Sequence, residues 1–136
     1  MIERLLEPVT AAQVLVTAML AICFLQSGID KVVDFKGNLA WLTGHFSKTP
    51  FRGQVAPMLA VITVLECAAG ALCAVGVVQL ALGNGTKAAL YGAELSALNI
   101  VMLFFGQRIA KDYAGAATLV SYFILCVGAI VLLARP

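Results

Sequence analysis

The stretch Val61–Gly76, VITVLECAAGALCAVG, is apolar throughout except for one carboxylate, Glu66. The apolar run continues on both sides. Between Val55 and Val78 Glu66 is the single charged residue, and Pro57 falls in the first turn, where a missing N–H costs little. A bilayer span needs about 20 residues, so this stretch reads as the centre of a transmembrane helix.

The rest of the chain has the same character. Of 136 residues, 62% are hydrophobic and 12% charged, with a mean hydropathy of +0.99. Soluble domains have about 25% charged residues. Apolar runs of spanning length occur at about 11–29, 55–78, 87–105 and 113–134. Gly83-Asn84-Gly85 is a turn signal between the second and third runs, and Gly106–Asp112 separates the third from the fourth. Such short connections force antiparallel neighbours. The expected fold is all-α, an integral membrane four-helix bundle formed as a single domain. Small residues in span two (Ala68, Ala69, Gly70, Ala71, Ala74) and span four (Gly115, Ala116, Ala117, Gly128, Ala129) suit close helix contact in lipid.

The longer connection, Asp30–Gln54, contains FKGNLAWLTGHF. Phe35, Leu39, Leu42 and Phe46 fall on one helical face, and Trp41, Lys36, His45 and Lys48 suit a headgroup region. This pattern predicts a short interfacial amphipathic helix between spans one and two, with a loop folded over the bundle mouth as the alternative.

Charge and motif content exclude several functions. A net charge of +2 with scattered basic residues argues against nucleic-acid binding. The amino terminus MIERLLEPVT has no basic leader and no small-residue cleavage site, so no cleaved signal peptide is expected. His45 is the single histidine and has no ligand-spaced neighbours, so no metal site is expected. The four cysteines form no CxxC; Cys67 and Cys73 lie about 600° apart around a helix. All four read as packing residues, with a membrane-embedded thiol–disulfide pair as the alternative. Arg4, Lys87 and Arg135 fall on one side of the bundle, whereas Lys31, Lys36, Lys48, Arg52, Arg108 and Lys111 fall on the other. The positive-inside rule then places both termini outside the cytoplasm.

The chemistry-bearing residues are few. Glu66 sits at the middle of span two and Glu94 near the middle of span three. Antiparallel helices would bring them to similar depth, and no Lys or Arg of the chain is expected at that depth. Two neighbouring carboxylates in low dielectric do not both stay ionised cheaply, which predicts a shared proton. Gln26, Ser27, Asp30 and Lys31 in the last turns of span one are the candidate partners. Lys31 has a stem long enough either to reach inward or to snorkel outward. Asn99, five residues and roughly 140° from Glu94, is not expected to join the cluster. Glu66 reads either as a helix-tying carboxyl or as a proton relay, a quinone-headgroup contact or a salt bridge to another subunit.

FLQSGIDKVVDF (Phe24–Phe35) closes span one with a Ser-Gly-x-x-Lys pattern, and Glu66, Gly70, Leu72 and Gly76 form an E-x-x-x-G-x-L-x-x-x-G line in span two. With Pro50 between them, these segments resemble the DoxX family of small four-helix membrane proteins. The resemblance implies association with a terminal quinol oxidase or with thiosulfate:quinone oxidoreduction, in a bacterial cytoplasmic (inner) membrane. It makes Lys31 and Glu66 the polar pair, with Gly28 at the close turn. The chain departs from redox-active four-helix relatives in lacking a paired CxxC. The functional expectation is an accessory or structural subunit of a respiratory or other electron-transfer complex, in contact with lipid and other membrane subunits and not catalytic on its own. The alternative is a quinone-handling or proton-relaying subunit; a small transporter ranks third, for want of an internal repeat. No cofactor is evident, and a quinone or a bound lipid is the class left open.

Overall fold

A computed structural model describes residues 2–134, and every element in it is a helix. In chain order these are α1 (Ile2–Leu6), α2 (Pro8–Val33), α3 (Phe35–His45), α4 (Val55–Leu82), α5 (Lys87–Ile109) and α6 (Tyr113–Leu133). Helices α2, α4, α5 and α6 are each long and apolar enough to cross a membrane. The protein is a multi-pass membrane protein built as a four-helix bundle. The helices form a ring in the order α2, α4, α5, α6, and the seam between α6 and α2 is the loosest.

Helices α2, α4 and α5 run past the apolar stretches that announce them, whereas α6 matches its stretch to within a residue. Helix α2 begins at Pro8 because Glu7 caps it: its carboxylate accepts from the backbone N–H groups of Val9 and Thr10. These contacts, the Thr10 bonds foremost, hold the Glu7 carboxyl below its ordinary value. Helices α4 and α5 carry on through Gln79, Gln107 and Arg108, since polar side chains near a helix end reach the interface. Helix α4 stops at Gly83, which adopts the left-handed conformation (φ 74°) while Asn84 N–H bonds back to Gln79 O at 2.8 Å. The guanidinium of Arg4, on the unforeseen short helix α1, donates to Ala81 O at that same end. It supplies the cation that the negative end of α4 lacks in its own last turn.

Small residues set the helix spacing. A Cβ added at Gly70 would lie 2.7 Å from the Leu25 backbone N, and one at Gly76 2.5 Å from the Ala89 Cα. Gly70 thus serves the contact with α2 and Gly76 the contact with α5. Gly28 and Gly92 do the same from the partner helices, against Cys67 and Cys73. The core these contacts enclose contains Leu20, Phe24, Cys73, Cys126 and Leu133. All four cysteines are free thiols.

The segment Phe35–His45 is helical, as its periodicity predicts, and it is also fastened to the bundle. His45 Nε2 lies 2.8 Å from Gln107 Oε1 and 3.8 Å from Asp112 Oδ2, with the Trp41 ring stacked on the imidazole at 4.7 Å. Its last turn therefore sits over the α5–α6 end of the bundle. The orientation count includes Arg135, which lies outside the described residues.

Candidate functional site

The structure answers the Glu66 charge from within the chain. Lys31 Nζ lies 3.0 Å from Glu66 Oε1 and donates to Ser27 Oγ at 2.8 Å. Backbone register explains the reach. Gly28 packs against Cys67, so Lys31 stands near the α3 end of α2, beyond the level of Glu66. Side chains lean toward the N-terminus of their own helix. On antiparallel helices Lys31 therefore leans into the membrane and Glu66 leans back toward it. Ser27, one turn before Lys31, holds the ammonium on the inner face.

The pair is buried unevenly: the Glu66 side chain is 2% exposed and that of Lys31 18%. Although the ammonium is close, its approach falls outside hydrogen-bond alignment, and Glu66 Oε1 has no other donor. The attraction is therefore Coulombic, and a lone-pair direction of a buried carboxylate remains unfilled. Burying an unfilled acceptor costs roughly 1–3 kcal/mol, more for a charged one.

A cavity of about 260 Å3 is lined in part by Glu66. Ser27 and Glu66 give it a polar wall; Phe24, Ile100 and Leu119 give it an apolar one. Gln26 and Tyr122 also border it, and both are exposed on the outer surface of the bundle, at the loose α2–α6 seam. An apolar groove of about 220 Å3, walled by Phe104, Val120 and Phe123, adjoins it through the shared residues Ile100 and Leu119.

The other expected members fall elsewhere. Asp30 is exposed and makes no side-chain ion pair or hydrogen bond among the described residues. Glu94 is exposed on the outer face of α5, so the anticipated proton-sharing pair with Glu66 does not form. Depth separates the two acids as well. Cys73 packs against Gly92; seven residues back along α4 and seven on along α5 bring Glu66 level with Asn99, not Glu94. The offset of five residues is about 7.5 Å along the helix.

Asn99 is the residue that sequence reasoning passed over. It is fully buried, and neither its amide nitrogen nor its amide oxygen has a partner. The signal for it was present: Ala89, Gly92, Ala93, Ser96 and Ala97 form a small-residue stripe on α5, and Asn99 continues it. In lipid such a stripe marks the face that meets another helix, which puts Asn99 inside and Glu94 outside.

Taken together, Ser27 and Glu66 line the cavity, and Lys31 joins them from outside its wall. Ser27 Oγ already accepts from Lys31, so its O–H is free to donate into the cavity. Glu66 Oε1 is shielded and has no hydrogen-bond donor. Comparison of the chain with protein-family models, with curated proteins and with solved structures gives no match.

Proposed function

We propose that this protein is a membrane subunit of a bacterial electron-transfer assembly, and that its own contribution is to hold the polar head of a quinone-class carrier at Ser27 and Glu66. The observation that carries this reading is a buried carboxylate with an unfilled oxygen, Glu66, in the wall of a mid-membrane cavity that borders the lipid-facing surface. The adjoining apolar groove suits the long tail of such a carrier. The resemblance of Phe24–Gly76 to the DoxX family points the same way.

The site residues fit the chemistry of such a head. The Ser27 hydroxyl donates to a ring carbonyl, which the oxidised form presents. The Glu66 carboxylate accepts from a ring hydroxyl, which the reduced form presents. Lys31 lies behind both as a positioning residue: it orients the Ser27 lone pairs and offsets the Glu66 charge. When bound, the quinone supplies the two-electron, two-proton couple. The protein selects, orients and excludes water.

A second reading rests on the 3.0 Å approach of Lys31 to Glu66, which also suits a purely structural tie between α2 and α4 in an accessory subunit. Titrating a short-chain benzoquinone into the purified protein in nanodiscs separates the two. The head-group reading expects saturable one-site binding, weakened about tenfold or more by Ser27→Ala, because a hydrogen bond next to a charged group contributes roughly 1.5–3 kcal/mol. Partitioning that matches empty nanodiscs and ignores the substitution favours the structural tie.

A further inference from the structure

We infer that Glu94 marks the docking line of a partner subunit, and that the partner presents a transmembrane helix with a Lys or Arg at the depth of Glu94. This rests on the assembly part of the reading above and is independent of the head-group site.

The argument starts from depth. Helix α5 has 23 residues and is about 34 Å long, against a hydrocarbon thickness near 30 Å. Glu94 lies seven residues, about 10 Å, from the start of α5 and so about 8 Å inside the hydrocarbon. It is exposed there. Among the described residues it takes part in no ion pair and no side-chain hydrogen bond. An acid at this depth normally faces a bundle interior or a partner group rather than lipid.

The face that carries it is built for a helix. Tyr91, Glu94, Leu98, Val101 and Phe105 are all exposed, and their spacing of three and four residues is that of a helix-packing seam. The adjacent outer face of α4 carries exposed Ala71, level with Glu94 by the same register that pairs Cys73 with Gly92. Its missing bulk lets a helix lie close.

Charge then identifies the occupant. A second copy related by an axis along the membrane normal places like residues at like depth, so Glu94 would meet only side chains from its own level of the chain. By the same registers the cations nearest that level among the described residues are Lys87 on α5 and Lys31 on α2, each about two turns away, and Lys31 is already engaged with Glu66 inside the bundle. A second copy therefore brings no cation to Glu94, and a different chain with a mid-helix Lys or Arg does.

A photoreactive residue at Leu98, on the same seam, tests this in native membranes, with one at Val64 on α4 as a second outward probe. The Leu98 probe is expected to cross-link a transmembrane peptide of another protein that carries Lys or Arg within one turn of the link. Glu94→Lys is expected to lower that yield at least tenfold, and a Lys or Arg to Glu change in the partner is expected to restore it. Cross-links to a second copy, to lipid alone or to a helix without a cation overturn the inference, as does a yield that Glu94→Lys leaves unchanged. Partner links at Val64 without any at Leu98 overturn the Glu94 docking line but leave the assembly standing. Links at neither position remove both.

Discussion

Two carboxylates on neighbouring helices meet opposite fates. Glu66 points into the bundle, 3.0 Å from Lys31, beside a cavity. Glu94 points out of it, on a seam with no cation. Both lie in apolar helices, and on the gentler insertion scale an ionised acid at a helix centre costs roughly 2.5–3.5 kcal/mol. The contrast shows that helix rotation, more than residue type, decides what an intramembrane acid does. Gly28 and Gly70 turn Glu66 toward α2, whereas the small stripe of α5 turns Glu94 away from the bundle.

The comparison breaks most visibly at Lys31. Lys31→Met leaves a buried carboxylate uncompensated and should destabilise the bundle by about 3–5 kcal/mol, read by reversible unfolding in mixed detergent micelles. Lys31→Met combined with Glu66→Leu should recover most of that loss, because apolar replacement of a buried pair is often neutral or better. Glu94→Gln in the same assay should shift stability by less than about 0.5 kcal/mol. If Lys31→Met proves as mild as Glu94→Gln, the two acids do not differ as described.

The next effect concerns the rotation itself. Gly76→Val forces a Cβ to within 2.5 Å of the Ala89 Cα. Overpacking of this kind should cost about 1–3 kcal/mol, measured in the same way. Gly128→Ala, where nothing lies within 4 Å of the added carbon, is expected to be silent. Asn99→Leu removes a buried amide with no partner and should be neutral or stabilising by up to about 2 kcal/mol. A clear loss of stability would show that the amide holds a water or a ligand group.

The smallest effect lies outside the spans. The Glu7 carboxyl is held below its ordinary value of about 4.5 by the backbone and hydroxyl of Thr10, then by Val9 N–H. A group lowered on folding stabilises the fold in full above its unfolded value and loses that contribution as the pH falls through its folded value. Stability should therefore slope downward below about pH 4.5, and Glu7→Gln should flatten that limb in acid titrations of unfolding.

Much of the fold was legible because lipid leaves few options: a run such as Val55–Val78 has no plausible alternative to a helix that spans. The ends were less legible, since Gln79, Gln107 and Arg108 are polar yet helical, and the apolar pattern stops before the hydrogen bonding does. The site was half legible. Glu66, Ser27 and Lys31 could be singled out, but the inward reach of Lys31 depends on a register set by glycine contacts that no single-helix pattern contains. Glu94 was placed inside because depth was read and rotation was not. The Ala89–Ala97 small-residue stripe held that information, and it also marked Asn99 as buried.

The most direct test is to titrate oxidised and reduced short-chain benzoquinone separately into wild-type and Glu66→Gln protein in nanodiscs. The carboxylate accepts from the ring hydroxyls of the reduced form, so Glu66→Gln should weaken that form about tenfold or more and the oxidised form much less. Equal weakening of both forms, or no saturable binding by wild type, would contradict the account of Glu66 as a head-group acceptor.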